Sequence, residues 1–232
     1  MLNLSLACLL LLVTHLGVSS TPLRPWLIRT LGESVYLGGY AILALLAIGL
    51  MIDAYTGLAH DLYIWPPTPS VANLALAIMP VALVLLISGL MCRNPTGVKM
   101  AEVVHEVTGY PMPGILRITR HPVQWGILLW AVAHLIANGD QASIVFFGTF
   151  ALLAALGSVA IDRRRRQDPA PDWQAFYGMT SNIPFAALLA GRNRLAVSDI
   201  NWTAVVVGLT FYAVLYYFHG LVSGVALIQA YP

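Results

Sequence analysis

Charge is scarce along this chain, so the few ionisable and polar side chains inside its apolar stretches are where chemistry would sit. An ionisable group at the centre of a bilayer costs about 2.5–3.5 kcal/mol, which makes each one a functional hypothesis until something simpler explains it. Of six histidines, His60 and His105 fall in polar connections and say little. His219 follows Tyr216, Tyr217 and Phe218, a cluster that an interfacial aromatic belt explains. His15 lies two-thirds of the way along the first apolar stretch and shares a helical face with Cys8, Leu11 and Ser19. For a lone membrane histidine, a hydrogen bond to a neighbouring helix accounts for the residue at least as well as metal ligation. Trp130, His134 and Asn138 recur every four residues, which puts an aromatic, an imidazole and an amide on one helix face. In Arg120-His121-Pro122 the proline suits the first turn of a helix. Arg120 and His121 then stand at a helix mouth, beside N–H groups and a positive dipole end that favour an anion. His121 and His134 are separated by about 20 Å of rise and roughly 220° of rotation, so they do not share one metal.

The elements that position these residues follow from hydropathy. The 232 residues are 59% hydrophobic and 9% charged, with a net charge of +2 and a mean hydropathy of +0.77. Soluble domains carry roughly 25% charged residues, so a water-soluble globule is excluded and the small positive balance makes no case for nucleic acid. A bilayer core of about 30 Å needs roughly 20 apolar residues in helical form. Six windows qualify: 2–21, 35–52, 71–92, 122–139, 141–161 and 200–228. The expectation is one all-α domain over 1–232, an integral membrane bundle of six transmembrane helices. Pro80 in the third window is tolerated as a kink. The first window has no Lys or Arg before Arg24, so it lacks the positive region of a signal peptide and reads as a retained helix. All twelve Lys and Arg residues fall in three alternate connections, which makes that side cytoplasmic and sends both termini outward. Arg163 to Arg166 read as a topology anchor rather than a lipid headgroup site. The outer stretch Ile64-Trp65-Pro66-Pro67-Thr68-Pro69 reads as a rigid turn, and Cys8 and Cys92 define no disulfide framework.

Three separated motifs arrive in order: Ile118-Thr119-Arg120-His121-Pro122, then Trp130 to Gly139 with His134 and Asn138, then Ile183-Pro184-Phe185-Ala186-Ala187-Leu188 with Gly191-Arg192. With His15-Leu16-Gly17 and Gly32-Glu33-Ser34-Val35-Tyr36 upstream, the chain resembles the NnrU family, which includes plant and cyanobacterial 15-cis-zeta-carotene isomerases. The resemblance runs from about residue 8 to 195. It implies a haem-b protein of the bacterial inner membrane with His15 and His134 as axial iron ligands. Trp130 and Asn138 would flank the site, and Arg120 or Arg117 would meet the propionates. His121 and Arg120 would serve activity at the cytoplasmic mouth. The isomerases keep a Cys three positions before the second ligand, where this chain has Ala131, so a thiolate alternative is missing. The implied function is redox-dependent carotenoid isomerisation or a part in nitrogen-oxide metabolism, and the implied partners are a lipophilic polyene or nitric oxide, membrane lipids and an unidentified electron donor. Two imidazoles fill both axial positions, so substrate activation at the iron requires one to leave.

A wider similarity supplies an alternative. Arg-His-Pro followed by an aromatic and a glycine, here His121-Pro122-Val123-Gln124-Trp125-Gly126, is similar to the S-adenosylmethionine motif of membrane methyltransferases acting on isoprenylcysteine or phospholipid. Their acidic pair is reduced to Asp162 here, with Trp173, Phe176 and Tyr177 beyond, which reads as a shared fold with a drifted cofactor site. A third alternative is a non-enzymatic membrane assembly factor whose histidines are satisfied core groups.

Overall fold

The computed structural model describes residues 1–108 and 112–224. The last four residues of the sixth window, 225–228, lie outside that range. Among the described residues the regular secondary structure is helical, apart from one isolated antiparallel bridge between Tyr63 and Asp140. In chain order the helices are α1 (Leu2–Leu12), α2 (Leu23–Leu31), α3 (Glu33–Thr56), α4 (Pro69–Leu90), α5 (Val104–Thr108), α6 (Gly114–Ile118), α7 (Pro122–Asn138), α8 (Gln141–Arg166), α9 (Pro171–Met179), α10 (Ala186–Leu189) and α11 (Trp202–Ser223).

Four helices, α3, α4, α8 and α11, are long and apolar enough to cross a membrane. They become five if the bent pair formed by Leu2–Val18 and α2 counts as one span. α7 has seventeen residues, the lower end of the spanning range. The first window differs most from expectation. α1 passes at Val13 into a π-helical turn that runs to Val18, and the chain then bends by 85° into α2. Such widened turns collect at functional sites, and this one carries His15. α2 holds Arg24, Trp26 and Arg29, and Arg24 stands over the Tyr36 ring at 5.8 Å.

Side by side, the long helices pack in the order α3, α1, α8, α7, α4, α11. The centre of the α3–α1–α8–α7 group is a core of Leu4, Ala7, Cys8, Leu11, Ala47, Met51, Ala131, Phe146 and Phe147. α4 and α7 meet through glycines. A Cβ on Gly126 would lie 2.8 Å from the Ala82 carbonyl, and one on Gly89 would lie 2.8 Å from Val123. Small residues at such crossings let backbones approach where lipid offers no hydrophobic driving force.

Caps and turns set the helix ends. Thr68 caps α4 by accepting from the Val71 N–H, with Pro69 in the first turn. α7 ends at Gly139, whose φ of +71° is left-handed and whose missing Cβ leaves room for the Trp65 carbonyl. Asp140 then caps α8 through the Ser143 N–H and holds His60 Nδ1 at 2.9 Å. The Trp65 indole donates to the Ile136 carbonyl at 3.1 Å, so the 60–65 connection is fastened across the α7–α8 turn. At the opposite end of the bundle a second cluster, Val103, Val104, Val107, Met112, Leu116, Trp173 and Phe176, packs the short helices together.

Candidate functional site

The sequence Thr119-Arg120-His121-Pro122 forms the extended approach to α7, with His121 as its N-cap and Pro122 in the first turn. α8 does not stop at residue 161. It continues through the arginines to Arg166, and this extra turn brings Asp162 under the mouth of α7. His121 Nε2 lies 2.7 Å from Asp162 Oδ1, and Arg120 Nε lies 3.3 Å from Asp162 Oδ2. Tyr177 of α9 donates its hydroxyl to Asp162 Oδ1 at 3.2 Å, and Asn182 Nδ2 reaches Oδ2 at 3.4 Å. Arg120 also donates to the Thr180 carbonyl and hydroxyl, each at 3.1 Å, and lies 4.4 Å from the Tyr177 ring centroid.

This network is dry. His121 is 0% exposed and Arg120 is 4% exposed. Burial pushes the Arg120 guanidinium below its ordinary range, and Asp162 opposes that shift. Burial likewise lowers His121 and so favours the neutral imidazole, against the opposing pull of its hydrogen bond to Asp162. Burial and the Asp162 charge raise the Tyr177 phenol. Neutral His121 then donates Nε2–H to Asp162 and keeps its lone pair at Nδ1, a buried atom with no hydrogen-bond partner among the described residues. The 180–185 strand of chain is strapped over the site. Arg120 N–H donates to the Ser181 carbonyl, Phe185 N–H to the Ile118 carbonyl, and the Trp125 indole to the Asn182 carbonyl at 2.8 Å.

Arg120 therefore already has protein partners, as has Arg117, which donates to the Met112 and Arg194 carbonyls and lies 3.6 Å from Asp199. Neither cation stands open toward an external anion in the way that its position at a helix mouth suggested.

The other expected residues lie elsewhere. His134 faces aromatic rings: Trp130 at 5.0 Å, Phe147 of α8 at 4.7 Å and His219 of α11 at 6.4 Å between centroids. Its Nδ1 bonds the Trp130 carbonyl at 2.8 Å. Asn138 is on the same face, but its amide donates to the His134 carbonyl and not to the ring. His15 repeats the local pattern, with Nδ1 on the Leu11 carbonyl at 3.0 Å and its ring 4.8 Å from Tyr40. In both, Nδ1 is fixed to the helix and Nε2 points away, the arrangement that orients an imidazole for ligation.

The two imidazoles occupy different levels. Cys8 donates to the Val145 carbonyl, which sets the register of α1 on α8. His15 is seven residues beyond Cys8 along the chain, while His134 stacks on Phe147, only two residues beyond Val145. Along parallel helices the offset is five residues, roughly 7 Å at 1.5 Å per residue. Each imidazole fits a ligand role singly, and His15 and His134 are not brought into one cluster. Among the described residues no group of three or more His, Cys, Asp or Glu could hold a metal ion.

Thr180 and Asn182 carry no sequence signal for the site, Tyr177 and Asp162 stand out only through the methyltransferase similarity, and the tyrosines beside His219 mask it as part of an aromatic belt. Asp162 was the findable one, because it is the acidic residue that directly follows the charge-free window 141–161.

Comparison with known proteins gives two local matches. The chain is 37% identical over 90 residues to the chloroplastic 15-cis-zeta-carotene isomerase of Arabidopsis thaliana, covering 35% of this chain and 22% of that protein. It is 32% identical over 82 residues to the Zea mays protein of the same name, again 35% of this chain and 22% of the relative. These alignments thus span about a fifth of the length of the curated relatives. No solved structure matches the chain. The family model described as NnrU protein matches residues 3–227, nearly the full length, and the chain belongs to the NnrU family.

Proposed function

We propose that this chain is an integral membrane isomerase that rotates a central cis double bond of a linear polyene, the substrate class named in its plant relatives. The observation that carries the reading is the match to two 15-cis-zeta-carotene isomerases inside a family model that covers residues 3–227. The apolar helices support a membrane setting. Counting α1 with its π turn, and α7, gives six spans, both termini outside and the arginine clusters on the cytoplasmic face of a bacterial inner membrane.

Haem b belongs to this proposal, with His134 or His15 as a residue that would hold it singly, since the two imidazoles stand at different levels. The support is the fixed Nδ1 and outward Nε2 of each imidazole. When bound, the haem would supply a redox-active iron able to lower the double-bond order of a conjugated chain, drawing on an electron donor. The chain's own residues provide the setting. Phe147 and Trp130 hold the His134 ring and exclude water. The Asp162 network clamps α7, α8 and the 180–185 segment into one rigid unit at the cytoplasmic end. The same network disfavours methyl transfer, because Arg120 and His121 are both bound to Asp162 and enclosed.

The test is conversion by purified protein in lipid nanodiscs, with the geometric isomers separated chromatographically in the dark under reducing and oxidising conditions. The reading requires loss of the 15-cis isomer and gain of the 15-trans isomer with no change in mass. An unchanged isomer ratio in both conditions contradicts it.

A further inference from the structure

α4 and α11 touch where Gly208 meets Val84, since a Cβ on Gly208 would lie 2.9 Å from the Val84 Cα. Toward Met91 and Trp202 the space between the two helices is not filled, and a cavity of about 830 Å³ remains. Val81, Leu85, Val205 and Leu209 form its walls and Ile118 of α6 closes its base. Its volume is at the upper end of the range for small-molecule sites. Val81, Met91, Leu209 and Trp202 are exposed, so the cavity opens sideways into the acyl region and a membrane-dissolved ligand reaches it without crossing water.

The charged and amide side chains of the lining are confined to the cytoplasmic end and are already engaged. Arg93 is ion-paired with Glu106. Asp199 accepts from the Ala196 N–H and lies 3.6 Å from Arg117. Asn201 caps α11 through the Ala204 N–H. Burial pushes the Cys92 thiol up to about 12, so it is neutral as well. A phospholipid headgroup would be held by an open cation at this mouth, and without one nothing favours it over an uncharged hydrocarbon. A dry apolar space of this size is filled by apolar matter and not by water.

The register of α4 on α7 places the cavity relative to His134. Gly126 packs between Ala82 and Leu86. His134 is eight residues further along α7, about 12 Å, which on antiparallel α4 is the level of Leu76. The cavity spans Pro80 to Met91 on α4, about 16 Å, and stops just short of that level. Resting on the isomerase reading above, we propose that the α4–α11 cavity is the polyene site: it takes one end of a neutral linear polyene, whose central bond then emerges toward the level of His134.

Trp202 lines the cavity and reports on it. Zeta-carotene, whose absorption overlaps the red side of tryptophan emission, is titrated into the protein in nanodiscs, and the signal lost in Trp202→Phe is taken as the Trp202 component. Saturable quenching of that component is expected, and Val205→Phe and Ile118→Phe, on different elements, should each weaken binding at least tenfold. Leu128→Phe, which fills the separate groove between α1, α7 and α8, should leave it unchanged. Circular dichroism and gel filtration check each variant, and either filler that folds decides the outcome alone. Should neither fold, excess phosphatidylcholine decides: failure to displace the polyene supports the site. Quenching that does not saturate, equal competition by phosphatidylcholine, fillers without effect, or loss in Leu128→Phe would each overturn the site. Binding here without isomerisation overturns the isomerase reading and keeps the site. Isomerisation that survives both fillers unchanged overturns the site and keeps the activity.

Discussion

Asp162 is the residue on which the arginine-bearing end of the bundle converges, because one buried carboxylate accepts from Arg120, His121, Tyr177 and Asn182. Breaking a buried pair from one side leaves an uncompensated charge and costs about 3–5 kcal/mol. Arg120→Ala should therefore lower the thermal midpoint far more than Arg165→Ala, which gives up a cation–π contact to Trp173 worth about 0.5–1 kcal/mol. Differential scanning fluorimetry in detergent compares them, and equal small losses would return Arg120 to a topology anchor. The same network sets a pH dependence. His121 is lowered from 6.5 in the folded chain by burial, so below about 6.5 the unfolded chain gains a proton that the folded chain refuses. Stability should be fully present above that pH and fall as pH drops through it, and His121→Gln should flatten this part of the profile. Arg120 and His121 were legible in the sequence because a helix start at Pro122 places them at a mouth. Their partner was legible only as a remnant, since a search for charge-free windows ends a helix at its first charge, and Asp162 is that charge.

Helix-to-helix contact depends on residues that hydropathy ignores. Gly126 and Gly89 carry the α4–α7 crossing at distances that no Cβ fits, whereas Gly148 on α8 has open space around its Cβ direction. Gly126→Val should push the two helices apart and cost about 1–3 kcal/mol by overpacking. Gly148→Ala should be neutral or stabilising by up to about 1 kcal/mol through helix propensity. Midpoints of the two variants measured side by side check the contrast, and similar losses would show that the crossing is not what matters. Each charge-free window overlaps a helix, four of them long and apolar enough to cross a membrane, with ends that moved by a few residues where caps decide: Thr68 for α4, Gly139 and Asp140 between α7 and α8. Hydropathy fixes these stretches without their caps. It did not show the π turn at Val13–Val18 or the 85° bend after it, because hydropathy is the same for either helical pitch. The short helices α5, α6, α9 and α10 escaped as well, being too brief for a periodic signal.

For the whole molecule, alternation of basic connections predicts orientation, and the described helices supply spans on which to test it. Reporter fusions placed after residue 232 and within 167–200 should lie on opposite sides of the membrane, since α11 runs between them. Reporters on one side would remove α11 as a span. Family membership was legible from motif order, whereas the relation between His15 and His134 was not, because their level depends on the register of α1 on α8. The central claim, that this bundle turns a polyene double bond at His134, is tested most directly by isomer ratio in cells. A host that accumulates a 15-cis polyene in darkness should shift to the 15-trans isomer when this chain is expressed. It should remain 15-cis with His134→Ala at equal membrane abundance. A ratio that the chain leaves unchanged, or that His134→Ala shifts just as far, would contradict the account.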